Sequence, residues 1–166
     1  MLSDYGDIHK ILGKKRRDIM LKIIHIKSTC DDGYIISGNG LCVEHGSINV
    51  TGDVVNIVLN ADGKITIPKD NYELLSIETD CGDFVIDLPD CYFKKIEIKS
   101  DCGDMKINTN YKNISFDTEC GEYEILNLHN KGIKPKTFVV NKIARKVKSL
   151  VSELDLPLNK NKDRYF

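Results

Sequence analysis

The chain has 166 residues and a mass of 18.8 kDa, enough for one ordinary domain and too little for two of usual size. With 41% hydrophobic and 30% charged residues it can bury a core, which excludes a disordered polymer, and its formal net charge of −1 excludes a uniformly basic nucleic-acid binder. Tryptophan is absent and aromatic residues make up only 7%, so the core must come from Ile, Val and Leu, a bias toward β structure, and no run reaches the roughly 18 apolar residues of a membrane span.

Residues 1–23 carry six Lys/Arg against three acids, a net of +3, and are expected to form a basic N-terminal cap or extension. The cluster Lys14-Lys15-Arg16-Arg17 reads as a solvated turn, or as a contact to phosphate or anionic lipid. The start, MLSDYGDIHK, has no apolar stretch of the signal-peptide kind, and the six cysteines contain no C-x2-C pair. Reduced thiols and a cytoplasmic location are the expectation.

Residues 24–132 are acidic, with nine Lys/Arg against nineteen Asp/Glu, a net of −10, and they repeat. Ile24 to Cys30 reproduces half a unit, with Asp31-Asp32-Gly33 at its turn. Fainter copies run from Leu41 to Val50 around Gly46 and from Val58 to Ile67 around Gly63. Three clear copies follow, Ile77–Ile86, Ile98–Ile107 and Phe116–Ile125, with the shared pattern apolar-x-[ST]-[DE]-C-G-[DE]-apolar-x-I. Each reads as strand, bend, strand.

Alternation places Ile77, Thr79 and Cys81 inward before the first clear bend, and Phe84, Ile86 and Leu88 inward after it. The second copy gives Ile96, Ile98, Ser100, Cys102, Met105 and Ile107, and the third Ile114, Phe116, Thr118, Cys120, Tyr123 and Ile125. Glycine at the bend suits positive φ or a tight corner. Like residues recurring at one period predict copies stacked in register. The expected fold is therefore an all-β, single-stranded parallel β-solenoid of about six coils, right-handed by crossover chirality, with a β-sandwich as the alternative.

Residues 133–166 return to basic character, nine Lys/Arg against three acids, a net of +6. Phe138 to Leu154 spaces Val140, Ile143, Val147, Leu150 and Leu154 as the apolar stripe of an amphipathic helix, which would cap the last coil, pair with a second copy or lie on an anionic membrane.

One column of cysteines and two of carboxylates carry candidate chemistry. Cys81, Cys102 and Cys120 share an inward corner position, with Cys30 and His45 at the same place in earlier copies. They read as small hydrophobes filling a corner, with a metal site or redox relay as the functional alternative. Asp80, Asp101 and Glu119 precede the Cys-Gly pair, and Asp83, Asp104 and Glu122 follow it. These acids read as turn chemistry, or as a corner for a cation such as Ca²⁺. No nucleophile, zinc, P-loop or dinucleotide motif is present, so neither a cofactor nor a catalytic residue is expected.

The T-x-C-G-D and S-x-C-G-D units resemble the bacterial adhesin-type β-strand-repeat domain family over residues 24–132. That resemblance implies a β-solenoid and no catalytic residues. A second resemblance, to bactofilins, implies filament formation. The expected function is a non-enzymatic scaffold or interaction module. Its partners would be proteins or further copies, engaged through the solenoid ends or the C-terminal helix. No nucleic acid is expected on the acidic face, and the basic ends could touch an anionic membrane. A filament former, a cation-binding module and a carbohydrate-active enzyme are the alternatives.

Overall fold

A computed structural model describes residues 20–127 and 136–141, and among them every regular element is a β-strand. The strands are β1 (Ile23–Ser28), β2 (Gly33–Gly38), β3 (Cys42–Val43), β4 (Gly46–Thr51), β5 (Val54–Leu59), β6 (Gly63–Pro68), β7 (Asn71–Thr79), β8 (Phe84–Cys102), β9 (Met105–Asn127) and β10 (Lys136–Asn141). They form one sheet in the order β3-β6-β2-β8-β7-β1-β5-β4, with β9 on β8 and β10 on β9. The sheet has mixed orientation and is nearly closed into a barrel.

The long strands close it. The first part of β8 pairs with β2 and its last part with β7, and the register slips between Leu88 and Tyr92 where the strand bends from one wall to the other. Alternation drives the burial. Ile24, Ile26, Val55, Ile57, Leu75, Ile77, Ile96 and Ile98 come from β1, β5, β7 and late β8. Ile35, Ile65, Ile67, Phe84, Ile86, Met105 and Ile107 come from β2, β6, early β8 and early β9, and both sets share one hydrophobic core. Tyr72 stacks on Phe93 at 5.2 Å between ring centroids, and Phe116 meets Tyr123 edge-on at 4.9 Å.

This corrects the expectation of a parallel solenoid with a C-terminal helix, and the sandwich alternative with it. Parallel pairing in register does occur, at Ile77↔Ile98↔Phe116 and Thr79↔Ser100↔Thr118. Three pairings are antiparallel instead: β4 with β5, β3 with β6, and β10 with β9. The first follows from a short connection. Gly52 and Asp53 alone link β4 to β5, Gly52 sits at φ 63°, and a two-residue loop makes a hairpin whereas parallel neighbours need a long crossover. Copies also do not lie in chain order, since β1 runs between β5 and β7.

The expected C-terminal helix fails at its start. Lys136-Thr-Phe-Val-Val-Asn141, rich in β-branched and aromatic residues, is strand β10 and covers the β9 edge from Cys120 to Ile125. Residues 142–154, the remainder of that expected helix, lie outside the described residues together with 155–166, as do residues 1–19 with the Lys14–Arg17 cluster.

Candidate functional site

The repeat builds one corner on successive strands. Its buried residues are hydroxyls: Ser28, Thr79, Ser100 and Thr118 are each at most 5% exposed. Thr79 Oγ1 accepts the buried Gly82 N–H at 3.0 Å and donates to the Thr29 carbonyl at 3.3 Å, so the hydroxyl satisfies a turn N–H that water cannot reach. Ser28 Oγ likewise donates to the Asp31 carbonyl at 2.9 Å and accepts its N–H at 3.1 Å.

The glycines answer to a close approach more than to φ. A Cβ on Gly82 would collide with the Asp31 carbonyl, one on Gly103 with the Gly82 carbonyl, and one on Gly121 with the Gly103 carbonyl. Of these three only Gly121 has a positive φ, at 139°. Gly33 and Gly63 do not belong to this column. They pair with each other, and Gly33 pairs with Phe84, whose ring fills the space over it.

The cysteines lie outside the hydroxyl column, which corrects their inward placement. Cys30 and Cys81 are exposed and Cys102 and Cys120 are half-buried, because the chain turns away from the core one residue after the hydroxyl. Cys102 and Cys120 are joined by a disulfide with Cα atoms 4.8 Å apart, which also corrects the expectation of six reduced thiols. The neighbouring Cys81 side chain, then desolvation, then the negative charges of Asp80 and Asp31 push the Cys30 thiol above its ordinary value. His45 does not join them: at φ 56° between β3 and β4, its Nδ1 lies 2.8 Å from the Asp62 carbonyl oxygen.

The acids that follow the glycine form a ladder. Asp83 Oδ1 accepts the Asp104 N–H at 2.7 Å, and Asp104 Oδ1 accepts the Glu122 N–H at 2.8 Å. Two further members precede their glycines: Asp62 Oδ1 accepts from Asp32 N at 2.8 Å, and Asp32 Oδ1 from Asp83 N at 2.9 Å. The line thus runs Asp62, Asp32, Asp83, Asp104, Glu122. Alignment on glycine hides Asp32 and Asp62; alignment on the apolar residues after the bend would have found them. Carboxylates about 4 Å apart repel by about 1 kcal/mol in water, and each of these four aspartates offsets some of that with a charge-assisted hydrogen bond to the next backbone.

Asp80, Asp101 and Glu119 are exposed on the other side of the Cys-Gly pair. Among the described residues no three His, Cys, Asp or Glu side chains come together as a metal-binding group. Beside the ladder, Lys64, Tyr34, Val85 and Lys106 form a row across β6, β2, β8 and β9, with Tyr34 43% and Val85 37% exposed. Two shallow hollows flank this row. One of about 490 Å³ lies near Asp32, Tyr34, Glu44 and Asp62, and one of about 380 Å³ near Asp83, Asp104, Glu122 and Glu124. On the opposite wall Lys27, Glu78, Lys99 and Asp117 alternate in charge along one row, with Lys27 Nζ 3.4 Å from Glu78.

No family model, curated protein or solved structure matches the chain. Among the described residues no helix is long and apolar enough to cross a membrane.

Proposed function

We propose that the chain is a non-enzymatic interaction module that presents its acid-lined wall to a cationic protein partner. The observation that carries this reading is the line Asp62, Asp32, Asp83, Asp104 and Glu122, held at fixed spacing by its own backbone hydrogen bonds. A row of like charges beside partly exposed Tyr34 and Val85 suits a partner with Lys or Arg and an apolar anchor. The charge steers the encounter, and the apolar pair contributes contact area. Polar groups recur in rows on this wall, as a docking surface requires, whereas catalysis calls for one irregular constellation.

The test replaces Asp32, Asp62, Asp83 and Asp104 together by Asn, which keeps each Oδ1 as an acceptor and removes the charge. A synthetic Lys-rich peptide containing one aromatic residue is titrated calorimetrically against both proteins at low and raised salt. The reading expects salt-sensitive binding that weakens by about tenfold (about 1.4 kcal/mol) in the variant. Equal binding to both proteins, or none to either, sinks it. Heat on adding Ca²⁺ alone would favour a cation-binding role instead.

A further inference from the structure

The corner holds four cysteines in two chemical states, Cys30 and Cys81 in neighbouring turns and Cys102 and Cys120 on neighbouring strands. Cys102 and Cys120 are paired residues of β8 and β9 and are bonded to each other. One step further along the sheet, the backbone repeats the arrangement. Asp80 N and Cys81 N both donate to the Thr29 carbonyl, at 3.0 and 2.9 Å, which sets the β1–β2 turn carrying Cys30 beside the β7–β8 turn carrying Cys81. Cys102 N donates to the Asp80 carbonyl at 2.8 Å, so the order across the corner is Cys30, Cys81, Cys102, Cys120. The two free thiols of this set are exposed. Cys81 N meets the carbonyl before Cys30 as Cys102 N meets the carbonyl before Cys81, so neighbouring corners step by about one sheet spacing, the separation at which Cys102 and Cys120 are bonded with Cα atoms 4.8 Å apart.

We propose that Cys30 and Cys81 are a redox-active dithiol that closes into a second cross-strand disulfide by exchange with a small disulfide of the glutathione class. One thiol loses its proton and its thiolate attacks a sulfur of glutathione disulfide, forming a mixed disulfide and releasing one glutathione thiolate. The second cysteine, once deprotonated, attacks the protein sulfur of that mixed disulfide and releases the second glutathione. One S–S bond is broken and one is formed. The protein gives up two electrons and two protons, and the oxidant leaves as two glutathione thiols. The product ties residues 30 and 81 together and fastens β1 to β7 at the corner, beside the bond that fastens β8 to β9. Asp31 and Asp80, the acids flanking this pair, keep the Cys30 proton in place and slow the exchange at neutral pH.

The test incubates the full-length protein with glutathione disulfide at mildly alkaline pH, quenches with acid and maps peptides without reduction. The expected result is a Cys30–Cys81 linked peptide, loss of both thiols to alkylation, loss of two hydrogens from the mass of that pair, and a higher melting temperature. Glutathione reverses all four. Because both residues are exposed, Cys30→Ser and Cys81→Ser serve as controls, each holding glutathione at the remaining cysteine and showing no rise in melting temperature. The peptide map of the unmutated protein decides the matter by itself. Unreacted thiols, separate glutathione adducts on Cys30 and Cys81 without closure, or a Cys81–Cys102 bridge with Cys120 released would each overturn the proposal.

Discussion

The backbone N–H of Asp104 donates to Oδ1 of Asp83 at 2.7 Å, so a carboxylate on one corner holds the backbone of the next. The repeated acid is thereby both a surface charge and a structural acceptor, and the two roles separate by mutation. Asp83→Ala and Asp104→Ala should each lose about 1 kcal/mol, because an N–H is left without its acceptor. Asp83→Asn and Asp104→Asn keep the acceptor and relieve like-charge repulsion, and should stay within about 0.5 kcal/mol of the parent. Urea midpoints measure both. Asn variants as unstable as the Ala variants would mean that charge, and not the accepted hydrogen bond, is what the corner needs.

Gly103 has no room for a methyl group, since the Gly82 carbonyl occupies that space. Gly103→Ala should cost about 1–3 kcal/mol, the range of overpacking against groups that cannot move away. A methyl group on Gly40 would meet nothing within 4 Å, so Gly40→Ala should fall within about 0.5 kcal/mol of the parent. Thermal melts of the pair suffice. Equal effects would remove the close-approach account of the glycine column.

Thr79 and Ser100 are paired in register and equally buried, yet they differ in hydrogen bonding. Thr79 Oγ1 has two backbone partners, whereas Ser100 Oγ has none among the described residues. Thr79→Val strands the buried Gly82 N–H and should cost about 1–3 kcal/mol. Ser100→Ala removes an unpartnered hydroxyl and should be neutral, or stabilising by up to about 1 kcal/mol. Chemical denaturation of the two variants side by side gives the comparison, and a larger loss at Ser100 than at Thr79 would contradict it.

Tyr72 OH donates to the Pro68 carbonyl at 2.6 Å, and the Cys91 thiol approaches the same oxygen at 3.7 Å. Desolvation, then the negative charges of Cys91 and Asp70, hold the Tyr72 phenol above its ordinary value; desolvation is also the largest cause raising Cys91. Above the ordinary pKa of each group the unfolded chain releases a proton that the folded chain keeps. Stability should thus be full below about pH 8.5 and decline as pH rises through about 10. Denaturation midpoints measured above about pH 10, the ordinary tyrosine value, should fall less steeply in Tyr72→Phe. An unchanged slope would show that Tyr72 is not part of the alkaline transition.

Much of the second half of the chain was legible. Alternation from Ile77 to Ile125 identifies Ile77, Phe84, Ile86, Leu88, Ile96, Ile98, Met105, Ile107 and Tyr123, all of which are buried. The cysteines broke the pattern, because a period of two cannot say on which residue a corner turns. The first half was harder. Matching Gly33 and Gly63 to the corner glycines hid their true partner: Gly33 lies under the Phe84 ring, a contact between residues far apart in the chain. The Gly52-Asp53 hairpin interrupts the repeat, because two residues between β4 and β5 leave room for an antiparallel turn and none for a crossover.

By itself the sequence determined most of the apolar side chains that go inward in the clear copies, though not the cysteines, and that the middle is acidic, since these depend on local alternation and on counting charge. Only the tertiary structure decided that β1 lies between β5 and β7, that Asp32 and Asp62 continue the line of Asp83 and Asp104, and that Cys102 rather than Cys81 is bonded to Cys120. The reason is that neighbours across a sheet are chosen by which edges remain open once the apolar faces are buried, and no short stretch of chain carries that information.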